Sequence, residues 1–463
     1  MKKTIVSLTV LIAALSAQAQ TTLQVSVSNP LKTSRTAVPV ELKLDQSVRS
    51  AVVVDSHNVE IPSQLDDIDG DGRFDCLVFV VPEIKKKEKL SFGVTLYDEG
   101  QPREYKPQVY AEMMMSNKKI KSNNKQDLYI SSLTVDNGTN PYWMLHHHGP
   151  AFENDMVAYR IYFDERQTVD IYGKNRRALE LRDTQFYPDA DQKAAGYGDD
   201  VLWVGQTFGL GALRGWQSGK PQMLKDVNFR TLSVVSRGPL RTVVKVEDKG
   251  WNPRYPDACS PDERIDMTTY YTLYAGRRDC QVDVRFNRDA TSLQLATGVI
   301  NVKNSREFSD KKGLRGCWGT DWPVSEKDSA GHKRETVGLG ICLPVANVLS
   351  ELPADKDNYP YVVGNIATAM RYYITFASDN ETFPEGMHSA DEFFSYLSAW
   401  KREIEQPCVI SCSRKSLSRR LVNSWFFSPH DGAITIPLGD CDTNLSRMMS
   451  GRSRDIYSAT SLI

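Results

Sequence analysis

Val157-Ala158-Tyr159-Arg160-Ile161-Tyr162-Phe163-Asp164 is the stretch on which the fold class turns. Val157, Tyr159, Ile161 and Phe163 fall on one side of an extended chain, and Ala158, Arg160, Tyr162 and Asp164 on the other. A period of two is that of a strand with one buried face; a helix would need a period of about 3.6. The polar side offers a guanidinium, a phenol and a carboxylate together if it lines a cleft. If it faces water it is an ordinary solvated sheet face.

Similar runs lie on both sides. Downstream, 240–246, 267–274 and 280–286 read as strands. Upstream, Leu23, Val25 and Val27 alternate with polar neighbours, as do Val38, Val40, Leu42 and Leu44, and Leu90, Phe92, Val94 and Leu96; 77–81 is a short continuous apolar strand. Many short strands broken by turn signals predict a mostly β protein, a small N-terminal sandwich followed by a large one with few helices. One helix is expected late in the chain. Ser389 and Glu392 have the spacing of a capping box, and Phe393, Tyr396, Leu397, Trp400 and Ile404 share the face that follows.

The expected organisation is a signal peptide over 1–19, a small β-sandwich over 20–100, a linker or surface crossing over 101–130, a large domain over 131–412 and a weakly ordered tail over 413–463. Lys2 and Lys3, an apolar run over 5–15 and Ala17-Gln18-Ala19 supply the three parts of an export signal. A mature protein in the periplasm or the medium is therefore expected, with no membrane anchor. The chain has 57 basic and 58 acidic residues, which gives no overall field for a nucleic-acid backbone. The clusters Lys85-Lys86-Lys87 and Lys118-Lys119 read as solvated strand ends or loops. Eight cysteines in 463 residues, without a CxxC, make neither a disulfide scaffold nor a cysteine zinc site.

Four motifs could carry chemistry. Asp67, Asp69, Asp71 and Asp75, with Gly70 and Gly72, place oxygens as a calcium loop does, but Val78 stands where such a loop carries its bidentate glutamate. The alternative is an acidic hairpin turn, and either role is structural. His146-His147-His148-Gly149 is the most informative. Were it extended, His146 and His148 would share a face, as a pair of divalent-metal ligands or of proton-transfer groups. The third motif is the Arg160, Tyr162 and Asp164 face, running on to 170–174 with Lys174. The fourth, 205–211, is glycine-rich but lacks a phosphate loop's lysine and reads as a close-packed turn. No motif for an organic cofactor is present.

The runs 143–153, 158–164, 170–174, 200–205 and 391–397 together resemble a family of exported bacterial proteins catalogued as a domain of unknown function. The resemblance covers roughly residues 25–411. It implies a galactose-mutarotase-like β-supersandwich and a setting in polysaccharide-utilisation gene clusters. It also implies a carbohydrate-active enzyme, similar to the dehydratases and lyases of uronate-containing oligosaccharides such as those of ulvan. The expected reaction is β-elimination. It calls for a group to neutralise the uronate carboxylate (Arg160 or a histidine-bound metal), a base and an acid from His146, His148, Tyr159 and Tyr162, and substrate contacts from Lys174, Trp143 and Glu153. A glycoside hydrolase with Glu153, Asp155 or Asp164, or a mutarotase-like epimerase, is the alternative within the enzymes. A non-catalytic glycan binder using Trp143, Trp203 and Trp216 as platforms is the alternative outside them.

Overall fold

A computed structural model describes residues 20–414; the expected signal peptide and the residues beyond Arg414 lie outside the described residues. The N-terminal sandwich packs a five-stranded sheet on a three-stranded one. Val25, Val27, Val40, Val53, Phe79 and Val94 meet between them, from the strands whose alternation the sequence displays. One strand of the five comes from the far end of the chain. Val409–Arg414 pairs antiparallel with Gln20–Ser28, so that Leu23 lies opposite Arg414. Residues 409–414, read from sequence as the end of the large domain and the start of the tail, thus complete the small one.

The large sandwich has a nine-stranded antiparallel sheet as one layer. At its middle run Arg241–Trp251, Ile265–Tyr274, Asp279–Phe286 and Ala369–Ser378. Two five-stranded sheets form the other layer. They are joined where Gly209 bridges Val169 and Leu210 bridges Val299. Gly209 has φ +55°, and a Cβ there would sit 2.2 Å from the Val169 carbonyl, so only glycine allows this approach. Tyr159, Ile161 and Ile171, Val299 and Tyr361, and Val244, Tyr271 and Ile374 fill the space between the layers.

The helix is Ala390–Glu405, capped by the Ser389 hydroxyl on the Glu392 N–H. Glu392 itself reaches back to the backbone of His388 rather than to that of Ser389. Phe393, Leu397 and Trp400 pack on the outer face of the nine-stranded sheet with Leu314, Cys342 and Ala377. The segment 101–130, expected as a linker or a surface crossing, supplies Val109–Glu112, an edge strand of the large sandwich that pairs with Ala151–Asn154. That pairing carries Glu112 beneath the histidine run.

Candidate functional site

Strand Ala158–Ile161 pairs with Val169–Gly173, and the register sets Arg160 opposite Asp170. A buried guanidinium facing a buried carboxylate is tolerated only when the remaining charge and hydrogen-bonding capacity are also met. Arg160 bonds Asp170 directly, then the Tyr162 hydroxyl at 3.0 Å, the Asp200 carboxylate at 3.0 Å and the Tyr187 hydroxyl at 3.1 Å. Its Cζ lies 4.0 Å above the centre of the Phe186 ring. The Tyr162 hydroxyl donates onward to Asp170 at 2.8 Å. Burial opposes the Arg160 charge, but Tyr162, Asp170, Tyr187 and Asp200 together hold its pKa well above the usual arginine range. Burial and then the adjacent Asp170 push the Asp200 carboxyl well up. Asp200 keeps 22% of its side chain exposed, against 3% for Arg160 and none for Asp170, so it is the edge of this cluster that solvent reaches.

The histidine run borders the cluster as a tight turn, not as an extended strand. His147 and His148 have φ of +40° and +66°, a left-handed conformation costing roughly 1–2 kcal/mol per non-glycine residue. The expectation that His146 and His148 share a face therefore fails. His146 is buried, its ring 5.6 Å from Tyr187 and its Nε2 without a partner. His147 is sealed, with Nε2 3.3 Å from Glu112 Oε1. His148 is the partly exposed one, stacked on Tyr142 with ring centres 3.7 Å apart and planes 6° from parallel. After it, Gly149 passes so close to Ile161 that a Cβ would lie 1.8 Å from the Ile161 carbonyl.

His148 has the features of a general base. Its Nδ1 lies 2.9 Å from the Tyr142 carbonyl, an acceptor only, so Nδ1 carries the proton and Nε2 the lone pair. Burial lowers its pKa to about 4, with Arg160, His147 and Arg166 adding to the shift against the Tyr142 carbonyl, and the imidazole stays neutral near pH 7. Burial takes His146 and His147 to about 3, His147 adding to the shift on the first and Arg160 to that on the second. Trp143 stands edge-on to His148 at 5.1 Å and is 76% exposed; Trp203, three residues beyond Asp200, is 49% exposed. Arg166 chelates Asp164 at 2.8 and 2.5 Å and lies over the rings of Tyr142 and Tyr162.

Residues 27–410 match the family described as Domain of unknown function (DUF4861). The chain belongs to this family. No curated protein matches it. Solved structures similar to it include a protein in the glycosyl hydrolase family 38 from Enterococcus faecalis, at 9% identity and a TM-score of 0.43 over 85% of this chain and 47% of that one. Another is an alpha-mannosidase from Enterococcus faecalis V583, at 10% identity and a TM-score of 0.39 over 85% and 46%. The chain spans about half the length of each. Likeness this distant bears on neither substrate nor reaction.

In this member of the family, Arg160, Tyr162, His146 and His148 lie close together, with Trp143 at the rim. Three other expected residues do not join them. Tyr159 points into the core and donates to the Arg278 carbonyl at 2.7 Å. Lys174 is fully buried and paired with Glu153, whose other bonds accept the backbone N–H groups of Glu180 and Leu181. Both are structural, and neither can meet a substrate. Of the other carboxylates weighed for hydrolysis, Asp155 pairs with Arg177 and Asp164 with Arg166. Arg160 cannot be the carboxylate binder expected of it, because its own partners take up its charge. The Tyr162 hydroxyl is likewise committed, and burial with the Asp170 and Asp200 charges holds its pKa well above the usual phenol range despite Arg160.

Asp170 and Asp200, the cluster's two carboxylates, were not singled out by sequence reasoning, nor were Tyr142, Arg166 and Glu112. The hairpin register could have given Asp170, since an opposite-charge pair directly across two strands is favourable. The acidic loop stands apart, in the small sandwich. Oxygens of Asp67, Asp69 and Asp71 lie within 4.8 Å of one another, a convergence of three acidic or histidine ligands found nowhere else among the described residues. Asp75 turns away to accept the Ile68 and Asp69 N–H groups.

Proposed function

We propose that the chain is a carbohydrate-active enzyme that carries out β-elimination, as a lyase or a dehydratase, on uronate-containing oligosaccharides. The observation that carries this reading is His148: a neutral imidazole with a fixed tautomer and an open Nε2, held beside the exposed Trp143. Indole faces suit the apolar faces of sugar rings. The proton next to a uronate carboxylate is weakly acidic, and a base of this kind removes it. Asp200, partly exposed and with its pKa pushed up by burial and by Asp170, is the acid that supplies the proton for the departing oxygen. Arg160, Tyr162 and Asp170 hold that acid in place. Export to the periplasm or the medium, read from residues 2–19, belongs to the same proposal.

A panel of uronate oligosaccharides tests it. The expected result is new ultraviolet absorbance from a conjugated double bond, with either chain cleavage or loss of one water by mass. A chelator added to the same reaction separates metal-assisted from metal-free chemistry. The Asp170 and Asp200 carboxylates, bonded to one guanidinium nitrogen, favour hydrolysis as the second reading. Full burial of Asp170 stands against it, because a nucleophile must touch the sugar. Reducing-end release without ultraviolet absorbance would select the hydrolase.

A further inference from the structure

Resting on the reading of His148 as the base, we propose that Glu112 is a positioning residue that fixes His148 through His147. The Glu112 side chain is fully buried at the end of the edge strand Val109–Glu112, opposite Ala151. Its Oε2 accepts the Tyr110 hydroxyl at 2.9 Å, and its Oε1 meets His147 Nε2 at 3.3 Å. Among the described residues that contact is the only hydrogen-bond partner either ring nitrogen of His147 has, since the buried Nδ1 has none. His147 is also the first of two successive left-handed residues, and the second is His148. A strained turn persists only where its surroundings hold it.

Three further bonds complete the clamp. The His148 N–H donates to the Leu145 carbonyl at 3.3 Å, the Phe163 N–H donates to the His148 carbonyl at 2.9 Å, and His148 Nδ1 donates to the Tyr142 carbonyl. The backbone bonds hold His148 from either side; Glu112 alone holds His147 from below. Without it, a buried imidazole has no partner at all, and rotation of His147 carries the backbone of His148 with it. The stack on Tyr142 and the bond that fixes the Nδ1–H tautomer are lost together. Glu112 touches no reacting atom; its effect lies in where Nε2 points.

Nitrogen-15 spectra of histidine-labelled protein test this without a substrate. Wild type is expected to show His148 as a single Nδ1–H tautomer. Glu112→Leu is expected to replace that signal with averaged or doubled ones, and Glu112→Gln, which can still donate to His147 Nε2, to restore it. His147→Leu breaks the same contact from the other side and serves if Glu112→Leu does not fold. An unchanged His148 signal in whichever of the two folds overturns the proposal. On a converted uronate substrate, Glu112→Leu should lower kcat by about 10²-fold, as misplaced catalytic groups do, with KM little changed, and Glu112→Gln should recover most of the rate. A disturbed His148 signal with an undiminished rate would leave the positioning intact and refute the role of His148 as base.

Discussion

Arg160 shows how one residue can be essential without touching a substrate. Its guanidinium cancels the charge of Asp170, bonds the Asp200 carboxyl and orients two phenols, so its removal leaves Asp170 buried and unpaired. Breaking one partner out of such a set costs about 3–5 kcal/mol. Arg160→Met is therefore expected to lower the melting temperature sharply, and Arg160→Lys to rescue little of it, because an ammonium cannot reproduce the planar fork. Thermal melts of the two variants check this. The histidines and Glu112 set a pH dependence. His146, His147 and His148 have folded pKa values of about 3 to 4, below the unfolded value, so the unfolded chain binds more protons and stability falls as pH drops below about 6.5. Burial raises Glu112 to about 8, so its contribution is present at low pH and is lost as pH rises toward 8. Melting temperature is expected to decline on the acid side of neutrality, and Glu112→Gln, which cannot ionise, to decline less than wild type between pH 6.5 and 8.

At the scale of elements, the Ser389 cap and the apolar stripe from Phe393 to Ile404 were legible because a helix announces its start and its buried face in neighbouring residues. Ser389→Ala should cost about 1 kcal/mol, read from denaturant unfolding. The strands were legible for the same local reason. The histidine turn was not. Nothing in His146-His147-His148 signals two left-handed residues, which Phe163 and Glu112 impose from elsewhere in the chain. Alternation likewise placed Tyr159 and Arg160 on opposite faces without saying which face held chemistry. Arg160 was found by that pattern, while Tyr159, offered as an acid or base, is a core residue. Lys174 and Glu153 misled for a related reason: charged residues read as available, whereas each satisfies the other inside the fold.

Across the whole molecule, the small sandwich is tied to the large one by buried and partly buried polar contacts. Arg241 bonds Asp66 at 2.7 Å and Glu41 at 3.0 Å, and Gln64 bonds Ser236. The chain closes on itself as well, since Val409–Arg414 pairs with the first described strand. We propose that the Asp67, Asp69 and Asp71 loop holds calcium for stability alone. Added calcium should then raise the melting temperature of wild type but not of Asp69→Ala, with turnover equal in both. The site's chemistry is tested most directly by one comparison: His148→Ala against wild type on a uronate oligosaccharide, followed by ultraviolet absorbance and mass. Wild type should form the unsaturated product. The variant should melt at a similar temperature and form it ~10²–10⁴-fold more slowly. A folded His148→Ala protein that forms the product at the wild-type rate would contradict the assignment of the base and of the site around it.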